Sequence, residues 1–224
     1  RLFKSISIMK IQYSYLKNFL NTNLSQKKLS DVFTQVGFEC EIEGDLIEFD
    51  ITPNRGDVLS LKGLEREFCA YEATKLSQKL KSFPLKPTKD KKVINRIDDS
   101  GCGNYYLMLV KGLQKTKNLD AKKRSFLESA GIPLIHPLVD LGNYVMLEIG
   151  APIHVFDLAK LSLPINVRFP NAGNNSVTVI GGDIKDIQSS SLTIQDQSRI
   201  QAIAGIIGSE ASSVSSKTSK IAVE

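Results

Sequence analysis

The chain has 224 residues, 42% hydrophobic and 24% charged, with a formal net charge of +5 from 29 basic and 24 acidic residues. That composition is ordinary for a globular protein with one large domain or two small ones, and the charge excess is too mild to identify an anionic partner by itself. No apolar run reaches the roughly 20 residues of a membrane helix, and Cys40, Cys69 and Cys102 are too few and too scattered for a disulfide framework or a zinc cluster.

Residues 1–8 mix Arg1 and Lys4 with apolar residues but lack a long apolar core and a small-residue cleavage site, so they read poorly as a secretory signal. They are assigned to an upstream extension or a cloning remnant. A small unit follows over 9–76. Ser25 is the expected N-cap of a helix whose stripe is Leu29, Val32, Phe33 and Val36, ending at Gly37. Residues 38–42 and 46–51 read as strands turning at Gly44-Asp45. After Pro53-Asn54-Arg55-Gly56, a helix is predicted with Leu61, Leu64 and Phe68 on one face.

Residues 77–92, rich in Lys and Pro, read as a linker. The larger unit, 93–224, opens with strands at 93–97 and 105–111. Asp120 is expected to cap a helix running through Ala130 and closed by Gly131, and a second helix is predicted over 138–148, ended by Gly150 and Pro152. The texture then turns to β: 165–169, 177–180 with a turn at Gly181-Gly182, 192–194, 200–207, and a last strand at 220–224 in which the chain stops. Helices and strands mix without a βαβ rhythm, which predicts an α+β fold, a small helix/strand domain followed by a larger mixed-sheet domain.

The chain has only two histidines, which narrows any acid–base proposal. His154 lies between Ile153 and Val155, a context in which a lone histidine is most often structural. Gly205 and Gly208 allow close backbone approach, either to a ligand or within a tight turn. Asn143 can orient a polar ligand or bond the backbone at a helix start.

Three segments carry more. Residues 50–60 read Asp-Ile-Thr-Pro-Asn-Arg-Gly-Asp-Val-Leu-Ser, 143–157 read Asn-Tyr-Val-Met-Leu-Glu-Ile-Gly-Ala-Pro-Ile-His-Val-Phe-Asp, and 202–210 read Ala-Ile-Ala-Gly-Ile-Ile-Gly-Ser-Glu. In this order they resemble three signature segments of the bacterial-type phenylalanyl-tRNA synthetase β subunit, and the resemblance extends over 9–224. It implies that 93–224 is an editing domain, cut at its C-terminal end, which hydrolyses tRNA(Phe) mischarged with tyrosine. It places His154 and Asn143 in catalytic roles and Gly205, Gly208 and Glu224 around the substrate side chain, Glu224 as the sensor of the tyrosine hydroxyl. Glu148 and Asp157 are expected to support the fold.

The same resemblance implies no metal and no cofactor in this segment. ATP and magnesium belong to the complete synthetase, an α2β2 assembly in the cytoplasm with tRNA(Phe) and the α subunit as partners and no membrane association. The tRNA-binding barrel that most such subunits insert between two N-terminal strands is expected to be missing, because Glu43-Gly44-Asp45 joins those strands directly. Departures from the family pattern stand at Gly142, Ala151 and Ser209, and at Asn104 and Met108, where the family carries arginines. They leave open an editing-defective domain kept for assembly and tRNA binding. A free-standing RNA-binding relative is the other alternative.

Overall fold

The computed structural model describes residues 8–76, 89–98, 100–114, 117–171 and 175–224. The predicted linker falls, over 77–88, outside the described residues, as does 1–7 of the upstream segment. Two compact units emerge, one within Arg1–Phe83 and Lys117–Ile153, the other within Pro84–Thr116 and His154–Glu224.

In the first unit a three-stranded antiparallel sheet runs β1 (Ile8–Gln12), β3 (Leu46–Asp50), β2 (Glu39–Glu43), with β3 in the centre. Period-2 alternation turns Met9 and Ile11 on β1, and Ile47 and Phe49 on β3, into the core. Gly44 takes φ +58 in the turn joining β2 to β3. Three helices, α1 (Tyr13–Leu20), α2 (Gln26–Gln35) and α3 (Leu61–Tyr71), bury Leu16, Leu29 and Phe33, and Leu61 and Leu64, against it. Ser25 caps α2 through Lys28 N–H, and Ser60 caps α3 by accepting from Gly63 N–H at 3.0 Å. The second cap was not anticipated from the sequence.

Residues 117–153 depart from the sequence partition. They carry α4 (Ala121–Ser129) and α5 (Pro137–Ile149), which belong with the N-terminal residues and not with the β-rich remainder. The physical reason is where their apolar side chains go. Phe126 is buried and stacks on Tyr15 with centroids 4.4 Å apart, and Tyr144 bonds the Tyr15 hydroxyl at 3.0 Å. Asp120 caps α4 as expected, accepting from Lys123 N–H at 2.9 Å, and Gly150 ends α5 at φ +80.

The second unit is built of strands. A five-stranded sheet has the order β12 (Ile207–Gly208), β11 (Ile200–Ile203), β10 (Thr193–Gln195), β7 (Ile165–Arg168), β4 (Ile94–Ile97); only β4–β7 is parallel. A three-stranded antiparallel sheet has β13 (Lys220–Val223) between β5 (Met108–Lys111) and β6 (Val155–Asp157), and β8 (Ser176–Thr178) pairs with β9 (Ile184–Asp186). Phe156, Ile165, Val167, Ile194, Ala202 and Ala222 form one core. The expected strand over 200–207 is instead the β11–β12 hairpin, reversing at Gly205 with φ +69. The chain is therefore α+β, its five α-helices among the described residues all in the first unit.

Candidate functional site

The second unit brings three of the five predicted residues together. β13 and β6 pair with Val223 opposite Val155 and Ala222 opposite Phe156, and the ladder continues as the Glu224 N–H donates to the His154 carbonyl at 2.9 Å. Residues directly opposite in an antiparallel pair project from the same face, so Glu224 and His154 share one face with Ala222 and Phe156. The His154 ring stands edge-on to Phe156, centroids 4.4 Å apart and planes at 72°. Gly208, paired with Ala202 on the neighbouring sheet, fits under the imidazole: a Cβ there would lie 2.2 Å from His154 Cε1 and 2.6 Å from Nε2. Only glycine leaves room for that ring.

Burial sets the electrostatics. Desolvation disfavours the charged form of each group, lowering His154 below the usual imidazole value and raising the Glu224 carboxyl to about 7. The pair is thus a neutral imidazole and a carboxyl poised between protonation states near neutrality. His154 Nε2 is buried without a hydrogen-bond partner, so its exchangeable valence is not consumed by the fold.

Gly205 is placed differently. It is exposed at the tip of the β11–β12 turn, where Ile206 N–H bonds Ile203 O at 3.0 Å, and nothing lies within 4 Å of its Cβ position. Its left-handed backbone is what the turn requires. Asn143 belongs to the first unit, half-buried on α5. Two clefts of that unit, about 350 Å³ and 130 Å³, are lined chiefly by residues such as Met146, Leu147 and Gly150, and His136 and Asp140; none of the five predicted residues lines either.

Much of the 143–157 segment serves the fold. Tyr144 donates to Glu148 at 3.1 Å, and Asp157 accepts from Ala159 N–H at 3.0 Å and Thr218 Oγ1 at 2.8 Å. Within 50–60, Ser60 caps α3 and its Oγ lies 3.1 Å from the Cβ position of Gly150. Arg55 and Arg66 both bond Asp57, at 2.9 and 2.6 Å. Among the described residues no group of His, Cys, Asp and Glu is disposed to hold a metal. No helix of the described residues is long and apolar enough to cross a membrane.

One residue of the site was not singled out from the sequence. Tyr105 packs on the same core as Phe156 and Ala222, and its hydroxyl is buried without a partner. The available signal was the alternation Tyr105, Leu107, Leu109, which aims all three at that core.

Residues 101–224, which hold all strands of the second unit except β4 together with α4 and α5 of the first, match the B3/4 domain. That match covers more than half of the chain, which belongs to this family. Alignments to relatives are longer and extend the likeness to residues before 101. The phenylalanine–tRNA ligase beta subunit of Pseudoalteromonas translucida is 38% identical over 188 residues, covering 82% of this chain and 23% of its own length. Those of Mannheimia succiniciproducens and Aquifex aeolicus are 37% and 36% identical, each covering 80% of this chain and 22% of their own. The chain thus spans less than a quarter of the length of these relatives. A crystal structure of an N-terminal fragment of the phenylalanyl-tRNA synthetase beta-subunit from Pyrococcus horikoshii aligns with 15% identity and a TM-score of 0.47, over 96% of this chain and 67% of that one.

Proposed function

We propose that this chain is the N-terminal part of a phenylalanine–tRNA ligase β subunit, without the barrel insert, and that its second unit hydrolyses Tyr-tRNA(Phe) to tyrosine and tRNA. The observation that carries the reading is the juxtaposition of His154 and Glu224 as cross-strand neighbours on one buried face, with Gly208 against the imidazole.

A synthetic pocket shaped for phenylalanine rejects an added hydroxyl only about a hundredfold, so a second, hydrolytic site is needed. That site must reward the hydroxyl. Glu224, half-protonated near neutrality, accepts a hydrogen bond from a phenol as carboxylate or donates one as acid. A phenylalanyl ester leaves this buried group unpaired, at a cost of about 1–3 kcal/mol. Hydrolysis then requires water to attack the ester carbonyl as the bond to the ribose oxygen breaks and that oxygen takes a proton. Neutral His154 positions the water or the ester for this step; a positioned water suffices, and no covalent acyl intermediate is invoked. Gly208, packed against the imidazole, frames the side chain. ATP, magnesium and the α subunit act elsewhere in the complete cytoplasmic α2β2 ligase, on the same tRNA(Phe).

A second reading, an editing-defective domain kept for assembly, is favoured by Asn104 and Met108, which put no positive charge where phosphates would be held. Tyrosine release from mischarged tRNA by the complete ligase, wild type and His154→Ala, decides between them. Editing predicts a large loss in the variant. Equal failure of both proteins with phenylalanine charging intact would establish the second reading.

A further inference from the structure

The site face carries a donor that neither the signature segments nor the proposed roles account for. β5 pairs with β13 with Met108 opposite Val223 and Leu109 opposite Ala222. Alternation along β5 and the residues before it places Tyr105, Leu107 and Leu109 on the face of Ala222 and Glu224, and all three pack against the core that holds Phe156 and Ala222. β13 lies between β5 and β6, so Glu224 is flanked by the Tyr105 strand on one side and by His154 on the other.

Among the described residues only four buried side-chain polar atoms have no hydrogen-bond partner, and two of them, Tyr105 Oη and His154 Nε2, belong to this face. A buried hydroxyl without a partner costs stability that phenylalanine at the same position would avoid. The Tyr105 hydroxyl is kept protonated, its pKa raised by burial and further by the charges of Glu224 and Cys102. It is a fixed neutral donor beside a carboxyl.

A phenolic hydroxyl is both donor and acceptor, and its complement is one acceptor and one donor. Gly205 stands at an exposed turn tip, whereas Tyr105 Oη is a buried donor on the site's own face. We propose that Tyr105 is a specificity-determining residue of this site, its hydroxyl and the Glu224 carboxyl together receiving the phenolic hydroxyl of a tyrosyl ester. The assignment rests on the editing reading for its substrate, but it concerns recognition and not the hydrolytic step. A phenylalanyl ester satisfies neither group, so discrimination is spread over two partners.

The test uses the complete ligase with its synthetic site filled by a non-hydrolysable phenylalanyl adenylate. Binding of 3′-tyrosylamino- and 3′-phenylalanylamino-3′-deoxyadenosine is measured by calorimetry for wild type and Tyr105→Phe, alongside tyrosine release from Tyr-tRNA(Phe). Wild type is expected to prefer the tyrosyl analogue by about tenfold or more. Tyr105→Phe loses most of that preference through weaker tyrosyl binding, with phenylalanyl binding unchanged and the melting temperature not lowered. In hydrolysis it raises KM more than it lowers kcat, whereas His154→Ala lowers kcat. An intact preference in Tyr105→Phe, or no preference in wild type, overturns the assignment, even if Tyr-tRNA is hydrolysed. A Tyr105-dependent preference without any tyrosine release upholds the assignment and rejects the hydrolytic reading.

Discussion

Replacing Gly208 with alanine puts a methyl group where the His154 ring already sits. The new carbon would lie 2.2 Å from Cε1, about 1.2 Å inside ordinary carbon–carbon contact. Gly208 is held in the ladder opposite Ala202 and its carbonyl accepts from Ile180 N–H at 3.0 Å, so the strand cannot easily retreat. The imidazole must swing away, against Phe156 at 4.4 Å. Overpacking of this kind costs about 1–3 kcal/mol, and a catalytic group displaced by about 1 Å loses on the order of a hundredfold in rate. Urea unfolding and single-turnover tyrosine release, each measured for Gly208→Ala, His154→Ala and the double variant, separate the two effects. Removing the ring removes the clash, so the stability penalty of Gly208→Ala should shrink to a few tenths of a kcal/mol in the His154→Ala background. A penalty of the same size in both backgrounds would refute the packing argument, and wild-type tyrosine release in Gly208→Ala would refute the role given to His154.

Other outcomes follow from the same geometry. Glu224 has its folded pKa raised from 4.5 to about 7; a raised group contributes stability that is present below the unfolded pKa and is lost as pH rises through the folded one. Stability should therefore fall between about pH 4.5 and 7, and Glu224→Gln should flatten that part of the unfolding profile. Asp196 behaves oppositely. Burial alone would raise its pKa, but bonds from Ser162 N–H, Arg199 N–H and Ser198 outweigh it and hold it below the ordinary 3.8. Its contribution is present above the unfolded pKa and disappears as acid takes pH down through the folded one; Asp196→Ala should cost about 2–4 kcal/mol at pH 7 and weaken this acid-side loss, read by urea titration at several pH values. Ser60→Ala removes the α3 cap and should cost about 1 kcal/mol in denaturant unfolding, with tyrosine release unchanged.

What the sequence made legible were elements whose signals are local. α2 announces itself through Ser25, its apolar stripe and Gly37, and α5 through Gly150, because capping and periodicity act within a few residues. The 200–207 run hid its hairpin: the reversal at Gly205 is flanked by Ala204 and Ile206, and no Asn, Asp or Pro marks it. Ile206 is nevertheless 76% exposed at the tip. α1 escaped notice because Gln12 at its N-cap makes no side-chain cap bond, although Leu16 and Leu20 are spaced as a buried helical pair. The grouping of α4 and α5 with the first unit depends on Phe126 meeting Tyr15, a tertiary fact with no local marker. In the site, the partnership of His154 with Glu224 needed the family resemblance, and that of Tyr105 needed the β5–β13 register.

The middle strand of the β5–β13–β6 sheet follows both of its neighbours in chain order. A nascent polypeptide leaving the ribosome therefore presents both outer strands long before the segment that bridges them, with two unsatisfied edges open to misassociation. Closure waits on pairings such as Val110 with Ile221, more than a hundred positions apart, so this half should mature late and slowly relative to its helical neighbour.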